Sequence, residues 1–264
     1  MLLGWASSCR PWELARGLPS PSVLPVRWDD RLLPGPTRSN DGFMELVMSL
    51  RPVDVAVVDI TVPPKVINGI KEEYRVHSHG VPCTTFEAVT ALLWQCRTRA
   101  IGLSNPEDPV GMSFVVNARK YVPAKDGYYG NCVTAKLVMG TADTVANGRL
   151  VGVVEMIQRA KSEIAGQFRK EGGGADVAAQ HVGSMVGYNL FLVTSWRNLG
   201  FEDVDFGGGR PVRVTSYAPE RVRLLACVEQ QGIDGSANVR SGFVAKEHAG
   251  AFLAEIFTVP VEQL

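Results

Sequence analysis

Apolar residues recur at strand or helix spacing along most of the chain after residue 53, and polar stretches separate these segments. Strand-type patterns cover 54–60, 111–116, 132–138, 188–193, 222–228 and 237–244, with a further alternating run at 211–217. Helix-type patterns cover 85–100, 144–169 and 246–257, together with a short helix opened by Pro63 and Pro64. Strands and helices thus alternate, which predicts an α/β fold with mixed strand pairing.

The clearest of these helices spans 85–100. Thr84 and Glu87 form a capping box, in which each side chain pairs with the other residue's free backbone N–H. Apolar residues then follow at helical spacing: Phe86, Val89, Leu92, Leu93 and Cys96. Arg97 and Arg99 lie near the carboxyl end, where cations favour the helix dipole.

The first 52 residues differ from this pattern. Residues 1–12 form an atypical segment, and residues 13–52 read as a linker because their prolines disfavour helix. Residues 53–264 form the predicted domain. Lysine and arginine together number 27, as do aspartate and glutamate, so no overall field attracts nucleic acid or a membrane surface. Five scattered cysteines indicate reduced core thiols in a cytoplasmic protein, and no apolar run is long enough to span a membrane.

A glycine-rich segment lies between two strand-like runs: Asp205-Phe206-Gly207-Gly208-Gly209-Arg210-Pro211. Consecutive glycines indicate a tight turn that needs positive φ or a close approach of another segment. An aspartate that opens such a turn usually accepts hydrogen bonds from backbone N–H groups, so we interpret Asp205 as structural. A phosphate-binding loop is disfavoured because the Lys-Ser/Thr pair is missing and a strand-like run follows.

Five stretches carry a family resemblance. They are the linker at 21–33, Thr84 to Arg97, Val116-Asn117-Ala118-Arg119, Gly127 to Asn131, and Thr194-Ser195-Trp196 with the glycine-rich segment. They resemble motifs of the plant BAHD acyl-CoA-dependent acyltransferases, and the branch with alcohol benzoyltransferases and taxane acyltransferases is most similar. The resemblance covers 13–264, and glycine replaces the family's usual Trp at 208. This resemblance implies the C-terminal half of a chloramphenicol-acetyltransferase-like fold.

The resemblance also implies a reaction, the transfer of an acyl group from acyl-CoA to an alcohol or amine. Its base is the histidine of a His-x-x-x-Asp motif, and a neutral imidazole suits that role near pH 7. None of the four histidines has an aspartate four residues later, so no catalytic residue is assigned. His181 is the candidate for a substitute base, but we favour the interpretation that it is an ordinary loop residue.

Coenzyme A carries phosphates, so its pocket needs cations and hydroxyl donors. The resemblance makes Arg119, Lys120, Thr194 and Ser195 the candidates, although a structural ion pair is an equal interpretation of Arg119. Trp196 is interpreted as a core residue. Acyl-CoA would be a co-substrate, and no permanently bound cofactor is expected.

Three hypotheses follow. In the first, the sequence is a truncated acyltransferase of plant secondary metabolism that is inactive alone. In the second, it is a non-catalytic CoA-binding or interaction partner of full-length relatives. In the third, it comes from an artefactual or alternative transcript, and the protein product barely folds. Self-association is expected if the domain exposes the face meant for a missing half, including Val23, Leu24 and Leu32. The family's Trp at Gly208 is expected to fill a gap and to stabilise the chain.

Overall fold

The structure is a computed structural model of the chain. It describes residues 13, 17–20, 22–24, 26, 53–121, 126–128, 132–168, 187–197, 199–215, 225–231 and 234–258. The first 12 residues, most of the linker, Gly172 to Gly174 and His181 lie outside these ranges.

The described strands form one mixed sheet with the order β1-β6-β5-β4-β2-β3. Its strands are β1 (Val55–Val62), β2 (Pro109–Asn117), β3 (Val133–Thr141), β4 (Leu190–Ser195), β5 (Leu225–Gln231) and β6 (Ala237–Ala245). Strands β2, β4 and β5 are parallel neighbours, and the other pairings are antiparallel. This mixed α/β sheet confirms the fold class predicted from the pattern.

Helices cover one face of the sheet. They are α1 (Pro64–His77), α2 (Thr85–Ile101), α3 (Ala142–Ala146), α4 (Leu150–Gln167) and α5 (Lys246–Thr258). Helix α2 begins at the predicted capping box, where Thr84 Oγ1 accepts from Glu87 N–H and the Glu87 carboxylate accepts from Thr84 N–H. It ends at Gly102 in the left-handed conformation (φ 63°). From Glu87 to Thr98 every residue of α2 is buried, so α2 is the central helix of the core.

The predicted long helix at 144–169 is wrong in one respect, because the chain breaks it into α3 and α4. Gln95 of α2 donates to the carbonyls of Val145 (3.0 Å) and Gly148 (2.8 Å). Arg99 donates to the carbonyl of Ala146 at 2.6 Å. These side chains satisfy carbonyls that a continuous helix would have used itself. A Cβ at Gly148 would lie 2.2 Å from the carbonyl oxygen of Thr144, so the break requires glycine.

The predicted strand at 211–217 is also wrong over its described part. Residues 211–215 form no strand, and Arg213 and Thr215 contact the sheet through their side chains. Strand β5 is described from Leu225, and residues 222–224 of the predicted strand lie outside the described ranges. The other predicted strands and the last helix agree with the structure to within three residues at their ends.

Arg97 is the unexpected member of the core, with 1% of its surface exposed. Its Nε donates to the Phe243 carbonyl at 3.0 Å, and its Nη2 donates to the Tyr188 carbonyl. The guanidinium carbon lies 4.4 Å from the centre of the Tyr188 ring and 5.3 Å from that of Phe191. Burial lowers the pKa of Arg97 to about 10, so it stays charged at neutral pH. The sequence pattern placed Arg97 only as a cation near the end of a helix, and its main role as a buried donor to backbone carbonyls was not predicted.

The four described cysteines, Cys83, Cys96, Cys132 and Cys227, are buried, and the first three are free thiols, as the pattern predicted. Burial raises the pKa of the Cys83 and Cys96 thiols to about 12, which makes both poor nucleophiles.

Candidate functional site

The carboxyl ends of the parallel strands β2, β4 and β5 lie at one edge of the sheet, and three of the predicted site segments follow these ends. Residues 118–121 follow β2, Thr194 and Ser195 end β4, and the glycine-rich segment follows β4 after a short 3-10 turn, Phe201–Asp203. In sheets with parallel strands, ligands bind outside the carboxyl ends of those strands. This edge is therefore the candidate site.

Arg119 is held in place after β2 by local contacts. Its backbone N–H donates to Asn117 Oδ1 (3.0 Å), and its Nη2 donates to the Tyr128 carbonyl (3.2 Å). Its guanidinium lies 5.7 Å from the centre of the Tyr128 ring. Ala118 N–H donates to the Cys132 carbonyl at 2.9 Å, which ties this turn to the start of β3.

Lys120 lies beside a pair of stacked aromatic rings. Its Nζ is 4.8 Å from the centre of the Tyr121 ring, and Tyr121 stacks on Phe168 with centroids 5.1 Å apart and planes 9° from parallel. Within the described ranges, Lys120 has no carboxylate within 4 Å. Arg119, Lys120 and these rings form a region that offers cations and flat apolar surfaces to a ligand.

Thr194 and Ser195 do not act as a unit, because successive side chains of a strand point to opposite faces. Ser195 lies on the side of Val193, which belongs to the helix-covered core. Thr194 pairs with Cys227 in the register of β4 with β5 and lies on the second face, with 7% of its surface exposed. Trp196 is half-buried against Phe201, with centroids 5.7 Å apart, so its predicted place in the core is wrong.

The second face of the sheet has an apolar half formed by residues of β3 and β4 together with Leu225, the first residue of β5. Its small cluster is built from strand residues alone, with no helix among the described elements contributing to it. Its members are Leu190 and Leu192, with Ala135, Leu137, Met139 and Leu225 packed against them. This apolar half borders the position of Thr194.

The other half of this face, on β1, β6 and β5, is polar. Glu229 of β5 has 1% of its side chain exposed and accepts from Arg213 Nε (3.2 Å) and Nη2 (2.9 Å). Arg240 of β6 lies 3.5 Å from Thr215 Oγ1. The pKa of Arg213 is raised by its hydrogen bond to Glu229. These contacts fasten residues 213–215 across the polar half, next to the β4 strand that carries Thr194.

The glycine-rich segment is an exposed turn organised by Asp205. The Asp205 Oδ1 accepts from Gly207 N–H (2.8 Å) and Gly209 N–H (3.0 Å), and both glycines have φ of 99°. Asp205 therefore acts as the turn's acceptor, and two of the three glycine N–H groups are already bonded to it. The flanking residues lie at the surface: Phe206 is 62% exposed, Arg210 lies 3.9 Å from Asp203, and Pro211 is half-buried.

Gly208 has nothing within 4 Å of the position that a Cβ would occupy. The described residues therefore form no pocket around Gly208 that the family's Trp could fill, in contrast to the expectation from the sequence.

None of the described histidines lies at the carboxyl edge with an aspartate partner. His77 at the end of α1 pairs with Glu155 (3.2 Å), and His79 is exposed. His248 of α5 stacks on Tyr188 and has its Nδ1 3.3 Å from the Tyr188 hydroxyl, near the opposite end of β4. Within the described ranges, no group of three or more His, Cys, Asp or Glu side chains could hold a metal ion. The helices in those ranges also include none that is long and apolar enough to cross a membrane.

Two features of this site were not predicted from the sequence. The Arg213–Glu229 pair had one signal, a carboxylate directly after the apolar run Leu225 to Val228. The stacking of Tyr121 on Phe168 had none, because these residues are 47 positions apart in the sequence.

The model of the Transferase family matches residues 56–240. Rice (Oryza sativa subsp. japonica) "Acyl transferase 15" is 41% identical over 92% of this chain and 57% of its own length. Benzyl alcohol O-benzoyltransferase of Petunia hybrida is 31% identical over 76% of this chain and 45% of its own length. The chain thus spans about half the length of these curated relatives.

Among solved structures, F. graminearum TRI101 complexed with coenzyme A and deoxynivalenol is similar with a TM-score of 0.64. It is 19% identical, and the match covers 78% of this chain and 49% of that one. This likeness shows a shared fold, and the sequence matches show the family. The chain belongs to the Transferase family of BAHD acyl-CoA-dependent acyltransferases.

Proposed function

We propose that these 264 residues are the acyl-CoA-side half of an acyltransferase, which holds the donor while the base comes from the family's other half. The observation that carries this proposal is the family match together with the missing His-x-x-x-Asp motif. Rice "Acyl transferase 15", at 41% identity, is matched over 57% of its length, which supports a relation to part of such an enzyme. The domain would comprise 53–264, preceded by the linker at 13–52.

The cationic and hydroxyl side chains at the carboxyl ends of β2 and β4 support this role. The Arg119 guanidinium and the Lys120 ammonium would face the phosphates of acyl-CoA, because charge-assisted hydrogen bonds to phosphate are strong. Thr194, on the neighbouring strand and on the second face, would face the amide arm that carries the thioester. Ser195 points to the other side of the sheet, so we give it no donor contact. The acceptor would be an alcohol or amine.

The test is a transfer assay on the chain with a panel of acyl-CoAs and alcohols. We expect no transfer above background, because a positioned base contributes about a hundred- to ten-thousand-fold to the rate. Turnover that disappears in a His181→Ala variant would contradict the proposal and would make His181 the substitute base.

The second candidate function is a non-catalytic partner of full-length relatives, and exposed apolar residues favour it. Leu24 and Val57 are each 69% exposed, and Val212 is fully exposed. Val23 is half-buried, and Leu32 lies outside the described ranges. We expect self-association at micromolar concentration, measured by light scattering. A monomer that binds no hydrophobic dye would contradict this expectation, and co-elution with a full-length relative would favour the partner role.

A further inference from the structure

The turn after β2 places an exposed cation, Lys120, over an aromatic platform, in which Tyr121 stacks on Phe168 and both rings are only partly buried where they pack against the core. The Tyr121 ring contacts Phe168 by stacking and Lys120 Nζ at 4.8 Å. The backbone of Tyr121 is fixed as well, since its N–H donates to the Ala118 carbonyl at 2.8 Å. The platform is therefore held in place before any ligand arrives.

Lys120 is held in this place only weakly. It is exposed, and no carboxylate of the described part of the chain lies within 4 Å of its ammonium. An exposed cation over an aromatic ring is a weak contact, whereas a phosphate offers the same ammonium a charge-assisted hydrogen bond. A purine base can in turn stack on the tyrosine ring that the ammonium leaves.

From this arrangement we infer that Lys120, Tyr121 and Phe168 bind the phosphorylated adenine nucleotide at the far end of acyl-CoA. Lys120 leaves the Tyr121 ring to bind a phosphate, and the adenine takes its place on the ring. Arg119, held by the Tyr128 carbonyl, supplies a second positive charge next to this position. This inference rests on the proposed function and assigns one part of the donor to one part of the site.

The sheet order then fixes the direction of the donor. Strand β2 lies between the edge strand β3 and strand β4, and Lys120 follows β2 while Thr194 ends β4. The nucleotide therefore lies toward the β3 edge, and the thioester points toward β4 and β5. Neutral pantetheine has neither a phosphate nor an adenine base, so its binding should not depend on Lys120 or Tyr121.

The test is calorimetric titration of the 264-residue chain with CoA, dephospho-CoA, adenosine 3′,5′-bisphosphate and pantetheine. Lys120→Gln should weaken the binding of CoA and of the bisphosphate by about tenfold, with a larger effect at low salt. It should leave the affinity for pantetheine unchanged. Tyr121→Leu should weaken every adenine-containing ligand by about tenfold, whereas Tyr121→Phe keeps the stack and should bind as the parent does. Lys65→Gln, a change at an exposed lysine of α1, is the matched control.

The outcomes separate this inference from the proposed function. If the parent chain binds CoA and both Lys120→Gln and Tyr121→Leu bind it equally well, the nucleotide assignment is wrong and the proposed function stands. If the parent chain, folded by circular dichroism, binds no CoA, the proposed function itself fails. If Tyr121→Phe loses as much affinity as Tyr121→Leu, the hydroxyl rather than the stacked ring would be responsible, which also overturns the inference.

Discussion

Replacement of Arg97 should be among the most destabilising single changes in this chain. The buried guanidinium donates to the Phe243 and Tyr188 carbonyls and lies against two aromatic rings. Hydrogen bonds from a charged group contribute about 1.5–3 kcal/mol each. Against this, the lowering of its pKa to about 10 corresponds to a burial cost of about 3 kcal/mol.

The variants differ in what they leave behind. Arg97→Ala removes the donor to the buried Phe243 carbonyl and to the partly buried Tyr188 carbonyl and leaves a cavity between the rings, so we expect a loss of about 3–5 kcal/mol in unfolding free energy. Arg97→Met refills most of the volume and removes the buried charge, so the loss should fall to about 2 kcal/mol. Arg97→Lys keeps the charge, but its ammonium can form a good hydrogen bond with only one of the carbonyls. Its loss in unfolding free energy should therefore lie between those of Arg97→Ala and Arg97→Met.

The assay is urea unfolding, with the midpoint and the slope measured for each variant. Arg75→Ala is the control, because Arg75 is exposed and pairs only with Glu72, so its change should stay within about 0.5 kcal/mol. The lowered pKa means that the burial cost is fully present below about pH 10 and is relieved as the pH rises above it, so the losses should be equal at pH 6 and pH 8. An Arg97→Met variant as stable as the parent would refute the reasoning, since the carbonyl hydrogen bonds would then contribute no more than the burial of the charge costs.

Three further predictions concern packing and the glycine turn. Gly140→Ala should cost about 1–3 kcal/mol in urea unfolding, because its Cβ would lie 2.9 Å from Met156 Cε and 3.0 Å from Val145 Cγ2; no loss would mean that both side chains move freely. Gly208→Trp should leave the midpoint unchanged, since open space surrounds this position, and a rise would reveal a pocket. Asp205→Ala should cost about 1–3 kcal/mol, while Asp205→Asn, which keeps an acceptor oxygen, should cost less; equal losses would argue against the turn hydrogen bonds.

The elements that could be predicted from the sequence are those specified by local signals. Helix α2 begins where Thr84 and Glu87 cap it, and α1 begins at a proline pair that favours a first helical turn. The split between α3 and α4 depends instead on Gln95 and Arg99, whose side chains reach the chain about 50 residues later. Hydrophobic spacing carries no information on such distant contacts.

In the candidate site, too, features set by local signals could be predicted, and features set by distant contacts could not. Its residues at the ends of β2 and β4 could be identified because they follow strands and match the family's motifs. The opposite orientations of Thr194 and Ser195 follow from strand alternation, but only once the limits of β4 are known. The depth of Arg97 could not be predicted, because its acceptors are backbone carbonyls, which every residue possesses.

The measurement that tests the central claim most directly is a CoA titration of the folded chain, followed in the same sample by a transfer assay with acetyl-CoA and benzyl alcohol. The account predicts saturable CoA binding with no transfer above background, because in the proposed function this chain holds the donor and the base comes from the family's other half. A folded chain that binds no CoA, or one that transfers the acyl group at an enzyme-like rate, would contradict it.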